Sequence, residues 1–152
     1  WRGAFNAAAD NAGFAKLLEE ASGELQSGVA MFGRFRTVNG RLDLKATGLF
    51  GIVTAARVLA IRHHVLERST PARLSAIAAL GRGGAQDIEA LMRAQILFLD
   101  LILRQQLADL RAGLPPSNKV VVKRLSRAQR AALREALAAV RHIDALTRDL
   151  IF

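Results

Sequence analysis

The run from Leu49 to Ile61 constrains the fold more than any other part of this sequence, because the helix that it predicts is apolar on almost every side. Its only charged residue is Arg57. A helix that is hydrophobic all round lies in the centre of a bundle or in a membrane. The run is too short to span a bilayer. It therefore predicts a central core helix that carries a guanidinium group into a dry environment.

A buried guanidinium group needs a carboxylate, a cluster of carbonyl oxygens or a bound anion. Asp100 is the best candidate for a structural partner of Arg57, since it lies in a second run that is nearly all apolar. Asp43 is the alternative partner. A structural salt bridge is the favoured interpretation, and a role in contacting a ligand stays open. On the helix, Phe50, Val53, Ile61 and His64 share the face of Arg57.

Composition favours an all-α domain. The chain has 152 residues, which fits one domain, and 51% of them are hydrophobic while only 5% are aromatic. Its core must therefore be built mainly from Leu, Ala, Ile and Val, and Ala and Leu lead the helix-propensity scale. We expect a single antiparallel bundle of five to six helices, with N-terminal helices over 1–31, a hairpin or arm over 32–46 and the helical bundle over 47–152.

Local signals place the elements within this bundle. Asn39-Gly40 between short alternating runs predicts a small β-hairpin near residues 34–45. Thr70 followed by Pro71 predicts a helix start, and Ser126 with Gln129 forms the pattern of a capping box. The bundle helices are expected over 47–67, 72–80, 85–112 and 126–150.

The chain is expected to be a C-terminal fragment of a longer multidomain protein, because it begins at Trp1 inside a helical pattern. It contains no cysteine, which excludes a disulfide scaffold and fits the cytoplasm. No run resembles a signal peptide or a transmembrane segment, so no membrane partner is expected.

The charge is basic and unevenly spread. The net charge is +9, with −2 over residues 1–33 and +11 over residues 34–152. Such a field attracts nucleotides, phosphates, nucleic acid or an acidic protein surface. The arginines of the last helix resemble a nucleic-acid stripe, yet Ala lies between them in place of base-reading polar or aromatic residues, so nucleic acid is the weakest candidate partner. These arginines are Arg127, Arg130, Arg134, Arg141 and Arg148.

The motif that metal-dependent nucleotidyl transfer uses is missing from the sequence. Nucleotidyl transfer requires carboxylates that hold Mg²⁺ on a triphosphate, and no Asp-x-Asp pair or Gly-Ser turn occurs here. His63 and His64 are adjacent on a predicted helix and point about 100° apart, so they cannot chelate one metal ion together. We expect no catalytic residue, metal site or cofactor in this chain.

Four basic residues flank the turn at Ser69-Thr70 and could bind an anion; they are Arg62, His63, Arg68 and Arg73. Ordinary helix capping is the alternative explanation for the same residues. Three of them join Lys45 and Arg57 in the candidate substrate- or anion-binding set, which is Lys45, Arg57, Arg62, His63 and Arg73.

Three motifs occur in an order that resembles one family. They are GRLDLKATGLFGIVTAARVLAIRHHV, RSTPARL and LSRAQRAALREAL. The chain resembles the nucleotidyltransferase substrate-binding domain that forms the C-terminal part of domain-of-unknown-function family 294. The resemblance covers Phe32 to Phe152 well and the first thirty residues loosely. It implies a helical domain that follows a nucleotidyltransferase domain, often behind cyclic-nucleotide-binding and CBS domains.

The family resemblance also implies a function. The whole enzyme is similar to PII-protein uridylyltransferases, so Mg²⁺ and a nucleoside triphosphate are expected in the upstream catalytic domain, and a protein is a candidate acceptor. Asp43, Lys45, Arg57 and Arg62-His63 match the family pattern and are implied to face the catalytic cleft. The family's long helix tends to read Arg-His-Gln where this chain reads Arg104-Gln105-Gln106, which weakens any case for proton chemistry there.

These observations predict a non-catalytic accessory domain of a signalling nucleotidyltransferase, which binds substrate or docks the catalytic domain. The alternative is an interaction module without a ligand site. In that case the apolar central helix and the acidic first helix would pack against neighbouring domains or a second copy, as in a homodimer. Direct nucleic-acid binding is the second alternative.

Overall fold

A computed structural model describes residues 34–81 and 84–151, together with Gly3, Ala7 and Gly28, and leaves the side chains of 148–151 undescribed. The N-terminal helices predicted over 1–31 lie outside the described residues apart from those three positions. The described residues are mostly helical with one small sheet, which confirms the predicted fold class. The helices are α1 (Phe50–Arg62), α2 (Thr70–Ala79), α3 (Ala85–Arg111), α4 (Arg127–Arg141) and α5 (Ile143–Ile151); the strands are β1 (Arg41–Asp43) and β2 (Lys119–Val121), and two short helical segments are a π-helix (Lys45–Leu49) and a 3₁₀-helix (Val122–Arg124).

The predicted Asn39-Gly40 turn is present, but β1 finds a distant partner. Both turn residues have positive φ, 53° and 74°, as a two-residue hairpin turn requires. Val38 and Arg41 exchange backbone hydrogen bonds of 2.9 and 3.0 Å across it. Beyond this bridge, β1 pairs antiparallel with β2. The distant pairing is preferred because it sets buried Leu42 against buried Val120.

The first bundle helix is central, as predicted, but shorter than expected. α1 packs against α2, α5 and the π-helix, and eight of its thirteen residues are buried. It ends at Arg62 because His64 adopts a left-handed conformation, with φ 54°. The amide of His64 then donates to Ile61 O and that of Val65 to Ala60 O, at 3.2 and 2.8 Å, which closes the helix in a Schellman motif.

Two further boundaries differ from the predictions. The N-cap of α2 is Ser69, one residue before the predicted Thr70, and its Oγ accepts a hydrogen bond from the amide of Ala72. The predicted last helix is broken at His142 into α4 and α5. The break lets α4 pack on α3 while α5 packs on α1. Arg148 consequently lies on a different helix from the arginines of α4, so the predicted basic stripe does not run along one helix.

α3 is the longest helix among the described residues, with 27 residues. It begins where predicted and ends one residue early. It packs against α2, α4, β2 and the π-helix. The predicted capping box at the start of α4 is confirmed, with reciprocal hydrogen bonds between Ser126 and Gln129 of 3.1 and 2.8 Å. Among the described residues, the buried core between these elements consists of Leu, Ile, Val and Ala around the ring of Phe98, and the partly buried ring of Phe35 packs against it.

Candidate functional site

A groove of about 680 Å³ lies between α3 on one side and the π-helix with α1 on the other. Its floor and walls are mostly apolar, with two basic side chains and two amide side chains among them. The lining residues are Lys45, Leu49, Phe50, Val53, Arg57, Leu99, Ile102, Leu103, Gln106 and Asn118.

Two of the candidate cations, Lys45 and Arg57, come together in this groove. Both side chains are exposed. Phe50, Val53 and Arg57 recur at helical spacing, so one face of α1 presents all three to the same space. The helical spacing grouped these three residues correctly, but the predicted face also included Ile61 and His64, which do not line the groove. The structure adds Lys45 from the π-helix that precedes α1.

The burial predicted for Arg57 is wrong. Arg57 is the one exposed residue between Gly51 and Ala60. The face of α1 that carries it borders the groove, whereas the other faces pack against neighbouring elements. The salt bridge predicted with Asp100 is not formed. Asp100 pairs instead with Arg104 on its own helix, Oδ2 to Nε, at 2.7 Å. The alternative partner, Asp43, accepts a hydrogen bond from the amide of Ala46 at 3.0 Å.

The π-helix shapes the wall that carries Lys45. The amide of Phe50 donates to Lys45 O, and this wider ring places Leu49 and Phe50 at the groove beside Lys45. Gly48, in the middle of the π-helix, lies against Phe98 of α3. A Cβ at this position would be 2.5 Å from the phenyl ring. Single π-helical turns are frequent at functional sites, and here the turn decides how closely the two walls approach.

An amide pair completes the groove on the α3 side. Gln106 Nε2 donates to Asn118 Oδ1 at 3.2 Å. The bond leaves Oε1 of Gln106 as an acceptor and Nδ2 of Asn118 as a donor for a ligand. Sequence reasoning missed both residues. Asn118 reaches the site only because the loop after α3 folds back toward β2, and no local pattern signals that return.

The remaining candidate cations lie outside the groove lining. Arg73 is buried, and its Nε donates to Glu67 O at 2.8 Å. Burial, together with the positive charge of Arg57, lowers the pKa of Arg73. Arg62 is exposed at the end of α1, and His63 is the half-buried C-cap of that helix. Of the five candidates, only Lys45 and Arg57 line the groove.

A buried polar network joins the two-stranded sheet to α3. Asp109 is 3% exposed, and its Oδ1 accepts from Gln105 Nε2 at 2.8 Å. Arg41 approaches the same oxygen at 3.5 Å. Gln105 Oε1 accepts from the amide of Val121 in β2 at 3.0 Å. The side chain of Gln105 thus bridges α3 and β2.

Replacing Arg57 with Met is expected to leave the stability of the chain nearly unchanged, because the guanidinium group is exposed and no buried carboxylate loses its partner. Surface changes of this kind alter the free energy of unfolding by about 0.5 kcal/mol or less. Arg73→Met is the matched control, and it should destabilise the chain because it removes the hydrogen bond to Glu67 O. Thermal unfolding followed by circular dichroism measures both. A fall of about 3 kcal/mol for Arg57→Met would mean that Arg57 closes a buried ion pair.

The described residues contain no cluster of three His, Cys, Asp or Glu side chains that could hold a metal ion. Within the same part of the chain, every helix is too short or too polar to cross a bilayer.

Comparison with known proteins identifies the family of this chain. The family model described as "Putative nucleotidyltransferase substrate binding domain" matches residues 12–149. The curated proteins contain no significant match. The solved structures contain none either.

Proposed function

This chain belongs to the putative nucleotidyltransferase substrate-binding domain family, and from that membership we propose that the groove between α1 and α3 is where it binds substrate. In this proposal the chain is an accessory domain and the transfer chemistry takes place in an upstream nucleotidyltransferase domain. The parent is a cytoplasmic signalling enzyme similar to PII-protein uridylyltransferases, with a nucleoside triphosphate as donor and a protein as acceptor.

The observation that carries this proposal is the combination of side chains in one groove. Lys45 and Arg57 are exposed cations that can bind phosphate oxygens through charge-assisted hydrogen bonds. Phe50 is 53% exposed and offers an aromatic surface on which a base can stack. Gln106 and Asn118 offer an acceptor and a donor for the edge of the base. A nucleoside triphosphate offers phosphates to the two cations, the face of its base to Phe50 and the edge of its base to the two amides.

The acidic residues near the groove support a non-catalytic role. Asp43, Asp100 and Asp109 each contact a neighbouring group of the chain itself. None of them lines the groove. The chain's own residues would bind and orient the nucleotide, and the carboxylates that hold Mg²⁺ on the triphosphate would come from the catalytic domain.

Calorimetric titration with UTP, ATP and CTP tests this function. We expect binding to the wild-type chain, and a loss of about tenfold or more in affinity for Lys45→Ala and for Arg57→Ala, because a hydrogen bond to a charged group contributes about 1.5–3 kcal/mol. Lys123→Ala is the control, since Lys123 is exposed in the 3₁₀-helix and is not part of the groove lining.

Two results would contradict the proposal. Equal affinity of the wild type and both groove variants would place the nucleotide elsewhere. Absence of heat with all three nucleotides, combined with transfer activity of the parent enzyme, would restrict this domain to docking.

A docking role is the second candidate function, and one observation favours it. α3 exposes a row of large apolar side chains that no described element covers.

A further inference from the structure

Five large apolar side chains are exposed along one line of α3, and we call them the α3 stripe. Their exposed fractions lie between 44% and 68%. They follow one another at spacings of three, four, four and three residues, which keeps them on one face of the helix over about 21 Å. A contiguous exposed apolar patch on a soluble domain marks an interaction surface. The members are Ile96, Leu99, Leu103, Leu107 and Leu110.

The spacing of the stripe reads the same in both directions from its centre, Leu103. A twofold axis at Leu103 would set α3 antiparallel to α3 of a second copy. Ile96 would then lie opposite Leu110 of the second copy, and Leu99 opposite Leu107. An interface between two identical surfaces requires this self-complementarity. A partner with an unrelated surface would place no such requirement on the spacing.

The charged residues beside the stripe can also pair with those of a second copy. Asp100 and Arg104 are partly exposed on the same flank of the stripe, where they form their ion pair at 2.7 Å. In the antiparallel arrangement each Asp100 lies two residues, or about 3 Å along the helix axis, from Arg104 of the other copy. The two Arg104 side chains are then equally close to each other and lie between the two carboxylates, so each carboxylate can be shared between two guanidinium groups.

We propose that the α3 stripe is the interface of a homodimer in which two α3 helices pack antiparallel about Leu103. The proposed interface also borders the groove. Leu99 and Leu103 belong both to the stripe and to the groove lining. In the dimer the α3 helix of the second copy forms a further wall beside each groove, so the two candidate substrate sites lie next to each other across the axis.

Light scattering coupled to size-exclusion chromatography tests the interface on the full 152-residue chain. The wild type is expected to elute with twice the mass of one chain. Leu103→Glu is expected to give the mass of one chain at the same concentration, because it brings two carboxylates together on the axis in place of two leucines. Leu80→Glu is the matched control, since Leu80 is similarly exposed but lies at the end of α2, and it should remain dimeric.

Circular dichroism separates loss of association from unfolding. Leu103 is exposed in the single chain, so Leu103→Glu should retain the helical signal of the wild type. A monomeric wild type at 100 µM would overturn the proposal. A Leu103→Glu variant that stays dimeric with its helical signal intact would also overturn it.

Disulfide cross-linking tests the orientation, because the chain has no cysteine of its own. Leu103→Cys should give a covalent dimer under mild oxidation. Ile96→Cys alone should not, since the two copies of residue 96 would lie about 21 Å apart along the helix axis. A mixture of Ile96→Cys and Leu110→Cys chains should give the mixed dimer. Efficient cross-linking of Ile96→Cys with itself would mean parallel packing and would overturn the proposal.

Discussion

Gly48→Val should lower the free energy of unfolding by about 3 kcal/mol, at the upper end of the cost of overpacking a core. A Cβ at Gly48 would meet two atoms of the Phe98 ring at 2.5 and 2.8 Å. Phe98 is fully buried in α3, so the ring cannot move without displacing other core side chains. For a domain of this size the change corresponds to a fall of about 6–12 °C in melting temperature, which thermal unfolding measures.

Ala46→Val is the matched control for this prediction, because Ala46 lies two residues earlier in the same π-helix and is exposed. It introduces the same side chain without contact with Phe98 and should cost less than about 1 kcal/mol. A double-mutant cycle isolates the clash: Phe98→Leu should recover part of the stability that Gly48→Val loses. If Gly48→Val were as stable as Ala46→Val, the close approach of the π-helix to α3 would be incorrect.

Gln105→Leu should be comparably destabilising, by about 3 kcal/mol, because it leaves a buried charge and a backbone amide without their partner. Gln105 donates to the buried carboxylate of Asp109 at 2.8 Å and accepts from the amide of Val121 at 3.0 Å. After the change the carboxylate would keep only the longer contact with Arg41, at 3.5 Å. Chemical denaturation gives the free energy.

Gln106→Leu is the control, since it is the same substitution at the next position, where the side chain is half-buried and bonds to Asn118. We expect it to cost about 1 kcal/mol, the net contribution of one ordinary hydrogen bond. The double change Gln105→Leu with Asp109→Leu should cost less than the sum of its parts, because it removes the stranded carboxylate. Equal stability of Gln105→Leu and Gln106→Leu would show that the network does not hold the sheet onto α3.

Local signals predicted the parts of the fold that local interactions determine. The Asn39-Gly40 turn, the capping box at Ser126 and the extent of α3 all depend on residues within a few positions of one another. The end of α1 was missed because His64, rather than Gly or Asn, occupies the left-handed position. The break at His142 was missed because no Gly or Pro marks it, and it arises as α4 and α5 pack on different helices.

The candidate site was predictable in part. The helical spacing of Phe50, Val53 and Arg57 grouped the α1 side of the groove correctly. The exposure of Arg57 was not predictable, because the sequence of a nearly all-apolar helix does not reveal which of its faces stays uncovered in the folded bundle. The pairing of β1 with β2 and the arrival of Asn118 beside Gln106 both depend on contacts between distant parts of the chain. Helix periodicity carries no information about such contacts.

The location of the substrate site can be measured directly by nuclear magnetic resonance, with UTP or ATP titrated into the isotopically labelled chain. Binding in the groove predicts that the largest backbone shifts occur at Lys45, Phe50, Arg57, Gln106 and Asn118, and that Arg57→Ala weakens all of them together. Largest shifts around Arg62, His63 and Arg73 would move the site to the other end of α1. Unchanged spectra at millimolar nucleotide would contradict nucleotide binding by this domain.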